Sequence, residues 1–101
     1  MAKHSNVVRF IVKDGNQDAF IKSFTEFPAC DGLLSHILIQ TGENTFCSCG
    51  VWRDEDAMVS AMPVMISLLN SSRHLLEEIS KEQGVTDPVS GSIVFDQNLS
   101  N

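Results

Sequence analysis

The chain's densest group of chemistry-bearing side chains is the stretch "NTFCSCGVWRDEDA", residues 44–57, which holds Cys47, Cys49 and the lone tryptophan, Trp52. His36, His74, Cys30 and Arg73 lie within reach of it in sequence. Cysteines two apart on a strand point to one face with Cα atoms ~6.8 Å apart. That is the limit of disulfide reach, and the parallel Cβ vectors oppose a bond. A structural zinc site needs four ligands, commonly in Cys-x₂₋₄-Cys pairs. Cys30 and His36 are the only extra candidates and complete no second pair. No metal is expected, and both thiols read as small packing residues on a strand.

His36 is the sharper candidate. It sits in the apolar run "LLSHILIQ", where a buried neutral histidine is the ordinary outcome. Facing a pocket, the same imidazole can take a proton from a ligand hydroxyl, since its unperturbed pKa of about 6.5 lies near neutrality. A hairpin loop of two or four residues would set His36 on one face with Cys47, Cys49 and Val51, with Cys49 beside it in a pocket wall. Met58, Met62 and Met65 fall on one helix face; adaptable methionines suit core packing or a wall for a planar ligand. Met62, Met65, Trp52 and His74 join Cys49 as the expected pocket residues, with His36 as the base. Arg73 is either a surface residue or a partner for an anionic ligand group. No phosphate-binding glycine loop, Ser-His-Asp order or carboxylate pair stands out.

These residues must be held by a small scaffold. The 101-residue chain, with 43% hydrophobic and 20% charged residues, has the size and composition of one globular domain. A net charge of −6 with seven Lys and Arg gives no basic run to neutralise nucleic acid or an anionic membrane. The start "MAKHSNVVRFIVKDG" has no apolar signal core before Arg9, and three cysteines form no even framework. A cytoplasmic protein is expected, in which the "NLS" pattern at Asn98 carries no weight.

"VVRFIVK" (7–13) reads as a strand ending at the turn pair Asp14-Gly15, with His4 in an unordered start. Ala19, Phe20, Phe24 and Phe27 recur at helical spacing over 16–27, with Asn16 as N-cap and Pro28 as stop. "LLSHILIQ" and "TFCSCGVW" around Gly42-Glu43-Asn44 form an antiparallel hairpin. Asp54 caps an acidic helix start. The stripe Met58, Met62, Met65, Leu69, Leu76, Ile79 continues to about residue 83, with a break at Pro63 separating two helices. Gly84 then ends the second helix, "VTDPVSG" is a linker, "SIVFD" (92–96) is the last strand, and 97–101 is a frayed tail. The order β-α-β-β-α-β predicts a ferredoxin-like α+β domain, a four-stranded antiparallel sheet with helices on one face. The other face carries apolar residues on alternate positions, and a second subunit is the economical cover.

The strand ending in Trp52, the charge-rich "RDEDA" opening a helix, the long second helix and the terminal strand together resemble the antibiotic biosynthesis monooxygenase-like proteins over roughly residues 7–96. The resemblance implies a homodimer whose two sheets form a dimeric α+β barrel. It also implies a hydrophobic cavity between sheet and helices in each subunit. Members include cofactor-independent oxygenases of aromatic or quinone-like substrates, haem-degrading enzymes, and proteins without known activity. Haem-degrading members carry a tryptophan and a histidine on the second helix; counted from Trp52 those positions fall near Ala61 and Ser71, so haem degradation is disfavoured. His74 is at best a displaced counterpart. The expected protein is a homodimer that binds a small hydrophobic or aromatic ligand and oxidises it without a cofactor. The alternative is a non-enzymatic dimer that only binds a ligand or partner.

Overall fold

A computed structural model describes residues 2–97. Strand β1 spans His4–Val12, helix α1 Gln17–Thr25, β2 Leu33–Gln40, β3 Thr45–Trp52, helix α2 Glu55–Ser72, β4 Leu76–Glu77 and β5 Asp87–Ser92. All neighbours pair antiparallel in the order β2-β3-β1-β4, with β5 also on β1. The fold is the expected ferredoxin-like α+β arrangement, with a different strand count. The sheet has five strands, because the lane beside β1 is shared: β4 meets Ile11 and Val12, while β5 meets His4 through Arg9.

The last strand lies earlier than 92–96. Pro88, which donates no N–H, sits within β5 and is tolerated because that lane is the sheet's edge. Beyond it Ile93 N–H still donates to Lys3 O at 2.8 Å. His4 is not in an unordered start; it opens β1 opposite Trp52 and is buried. Residues 98–101, including Asn98, lie outside the described part of the chain.

Helix α2 differs most from expectation. Asp54 caps it as its sequence requires, its Oδ1 accepting from Ala57 N–H at 2.9 Å. The helix does not break at Pro63. Proline removes the bond to the carbonyl four residues back, here Val59, and both residues lie on the exposed side where water replaces the lost donor. Instead the helix stops at Ser72, after Asn70-Ser71-Ser72. Such residues compete for backbone bonds, and Ser71 Oγ donates to Leu68 O at 2.8 Å. A 3₁₀ turn, Arg73–Leu75, leads into β4, so Leu76 is buried from a strand and not from the helix stripe. Gly84, at φ +75°, sits in the turn that follows and ends no helix.

Two apolar clusters hold the helices to the sheet. Phe10, Val12, Phe20, Phe46 and Leu76 form one, with Phe20 stacked edge-on to Phe10 and Phe24 at 5.1 Å. Trp52, Ala57, Met58 and Ala61 form the other. Gly32, at φ +84°, lets the chain before β2 pass the start of α2: a Cβ there would meet that of Ala57 at 2.5 Å.

Candidate functional site

The hairpin register decides which side chains share a site. Thr41 N–H donates to Thr45 O, leaving a three-residue loop, Gly42 to Asn44. Gln40 therefore faces Phe46 and His36 faces Gly50. His36 lies on the helix side of the sheet with Phe46, Ser48 and Trp52, while Cys47, Cys49 and Val51 point to the opposite side. An even loop would have put them together; the odd loop separates them.

On the helix side, between the sheet and both helices, lies a cavity of about 650 Å³. Its floor is a row across four strands: Ser90, Asn6, Gly50 and His36 stand opposite one another on β5, β1, β3 and β2. With neighbouring strands ~4.8 Å apart, Asn6 and His36 are roughly 9.5 Å apart across the glycine gap. Ser48 and Val8 lie in the next row. Phe10, Phe20, Phe24 and Phe27 close one side, and Met58, Met62, Met65, Ile66 and Leu69 of α2 form the roof.

Of the expected pocket residues, His36, Met62 and Met65 line this cavity. Cys49 is on the far face, where its Sγ lies 3.6 Å from Ser5 Oγ. Trp52 is buried in the core at the cavity's end, with no lining surface. His74 stands exposed on the 3₁₀ turn, away from the lining. Arg73 is also outside, with Nη2 donating to Asn70 Oδ1 at 3.1 Å. Cys30 lies in a more polar cleft of about 450 Å³ at the start of α2, near Arg53 and Asp54.

The His36 imidazole is packed between rings, 4.6 Å from the Phe27 centroid and 5.5 Å from that of Phe24. Burial among these apolar neighbours lowers its pKa below the ordinary 6.5, with no charged group opposing the shift. At neutral pH it is uncharged and has a lone pair for a ligand proton.

Sequence reading missed Asn6, which looked like part of the unordered start. Trp52 Nε1–H donates to Asn6 Oδ1 at 2.7 Å. The Asn6 amide nitrogen then points at Met65 Sδ, 3.9 Å away, a weak acceptor that a ligand oxygen can displace. Gly50 makes this pairing sterically possible, since a Cβ there would lie 2.7 Å from Asn6 Oδ1 and 3.2 Å from Trp52 Nε1. The signal was present in the asparagine that directly precedes an apolar strand run, yet nothing in sequence linked it to Trp52. Among the described residues no three His, Cys, Asp or Glu side chains gather as a metal-binding set.

No family model and no curated protein sequence matches this chain. Solved structures do. A Chloroflexus aurantiacus protein provisionally named an antibiotic biosynthesis monooxygenase superposes with a TM-score of 0.74 at 14% identity, covering 98% of this chain and 100% of that one. SnoaB, a cofactor-independent oxygenase from Streptomyces nogalater, gives 0.64 at 19% identity over 100% of both chains. A dimeric ferredoxin-like protein from an uncultured marine organism gives 0.72 at 13% identity, over 99% and 95%. The chain shares their fold. Its likeness to the monooxygenase-like proteins, first seen around Trp52, thus extends to the whole course of the backbone. No helix among the described residues is long and apolar enough to cross a membrane.

Proposed function

We propose that this protein is a homodimeric, cofactor-independent monooxygenase of electron-rich aromatic compounds, with His36 as its general base. The observation that carries the reading is an uncharged imidazole, held by Phe24 and Phe27, in the wall of a large apolar cavity. An aromatic hydroxyl or an anthrone needs only proton removal to become electron-rich enough to reduce oxygen. His36 takes that proton. The anion passes one electron to O₂ and recombines with the resulting superoxide at ring carbon, and the peroxide anion takes the proton back from His36 to give a hydroperoxide. Loss of water with the remaining hydrogen on that carbon leaves a new carbonyl, so one oxygen atom enters the product and the other leaves as water. The cavity's part is to hold the ring flat between the phenylalanines and the methionine roof, with Asn6 and Ser48 as hydrogen-bonding groups on the floor.

The same reading includes a dimer formed through the outer face of the sheet, and a cytoplasmic setting. On that face Val7, Cys49 and Ile37 stand in one row, with exposed Ile39 in the next. An exposed apolar patch of this kind, bordered by the Arg9–Asp87 ion pair, suits an interface with a polar rim. Cys47 and Cys49 would then be interface packing residues rather than site residues.

Oxygen uptake with anthrone as probe tests the enzyme reading. His36→Ala is expected to lower turnover by ~10²–10⁴-fold, the usual contribution of a general base, while anthrone still binds. Unchanged turnover in the variant would remove His36 from the mechanism. Binding without any oxygen uptake in the wild type would favour the non-enzymatic, ligand-binding alternative.

A further inference from the structure

We propose that the cavity selects uncharged ligands and rejects those bearing a carboxylate or phosphate, because its wall holds no lysine or arginine to meet an anion arriving from solution. The inference rests on the cavity being the ligand site. Among the described residues no lysine or arginine lines it. The cations are held elsewhere: Arg9 by Asp87 across the outer face, Arg53 between Asp31 and Asp54, Arg73 by Asn70, and Lys3 by Asp96. Lys13, Lys22 and Lys81 are exposed and also lie outside the lining.

The one formally charged residue on the wall is Glu26, exposed at the mouth, where it repels an approaching anion. On the floor, Asn6, Ser48, Ser90 and the uncharged His36 can exchange hydrogen bonds with hydroxyl and carbonyl oxygens but bring no standing positive charge to an anion that arrives from solution. A carboxylate moved onto this floor loses its hydration without gaining an opposite charge, which is strongly unfavourable. A phenol or ketone loses far less and recovers it from the same donors and acceptors. The ligand class is therefore an uncharged aromatic molecule with hydroxyl or carbonyl groups and no acidic substituent. A negative charge arises inside only when the proton stays beside it on His36.

Chrysophanol and rhein, dihydroxyanthraquinones that differ only by a methyl group in the first and a carboxylate in the second, provide the test. Binding is read from quenching of Trp52, the single tryptophan, which is bonded to Asn6 at the cavity floor. Rhein is expected to bind at least about tenfold more weakly, as an unpaired buried carboxylate requires. Met62→Lys places an ammonium group on the half-exposed edge of the roof. It should bring the two affinities within about threefold, while Met62→Leu keeps them apart. Equal binding to the wild type overturns the charge selection and leaves the cavity reading standing, whether or not the lysine variant folds. Persistence of the full gap in a folded Met62→Lys protein that still binds chrysophanol also overturns it. Failure of both dyes to bind removes the proposal together with the cavity reading.

Discussion

The role proposed for His36 depends on what surrounds it rather than on what bonds it. Its ring is held by aromatic contacts, and its shift comes from burial alone. The folded protein therefore favours the neutral imidazole. Two consequences follow in opposite experiments. Turnover should rise with pH through a limb that lies below 6.5, because the base is active only when unprotonated. Stability should be fully present above 6.5, the unfolded value, and decline as pH falls from there through the lower folded-state pKa, since the unfolded chain takes up the proton first. Replacing His36 with Gln should remove that portion of the acid sensitivity, as read by thermal unfolding at a series of pH values. A second residue-scale prediction concerns Gly50. In Gly50→Ala the new Cβ sits 2.7 Å from Asn6 Oδ1 and must separate it from Trp52. A destabilisation of about 1–3 kcal/mol with a changed Trp52 emission spectrum is expected, because a buried donor loses its acceptor. An unchanged spectrum would mean that the bond survives by a backbone shift.

At the scale of elements, α2 shows which sequence signals are strong. Asp54 is legible as a cap because its carboxylate, the acidic first turn and the preceding tryptophan-ended strand all agree, and the bond to Ala57 is there. Asp54→Ala should cost about 1 kcal/mol in denaturant unfolding. Pro63 is a poor boundary signal when it falls on the wet side of a helix, where the lost bond is replaced by water. Pro63→Ala should accordingly stabilise the protein by about 1–3 kcal/mol, since a better helix former regains the missing bond to Val59. No gain would show that the proline's constraint on the unfolded chain offsets its helical cost. The true end at Ser72 was hidden because Leu76 and Ile79 continue the helical period by chance; only the partnership of Leu76 with Val12 shows that it belongs to a strand. The hairpin was legible to the residue in its two strands, Leu33–Gln40 and Thr45–Trp52. Its register was not, because Thr41 and Thr45 serve equally well in loop or strand, and that single uncertainty decided whether His36 faced the cysteines or the cavity. The edge strand was displaced in the sequence reading because Asp87-Pro88 has a turn-like composition that an edge lane accepts.

For the whole molecule, a chain of 101 residues has a modest core, here two clusters with a cavity between them rather than one continuous interior. The exposed Ile37 and Ile39 on the outer sheet face supply the further burial that a second copy would provide. Ile37→Glu should convert the proposed dimer into a monomer in sedimentation analysis and lower its melting temperature, because a charge would enter the centre of an apolar interface. A variant that remains dimeric with unaltered stability would place the interface elsewhere.

The proposed oxidation depends on proton removal inside the cavity. The most direct measurement is made without oxygen: anthrone is mixed with the protein in deuterated buffer under nitrogen, and exchange of its methylene hydrogens is followed by NMR at neutral pH. Wild-type protein should accelerate the exchange, and His36→Ala should bind anthrone yet leave it exchanging at the uncatalysed rate. Equal exchange with the two proteins would contradict the assignment of His36 as the base, and with it the central claim.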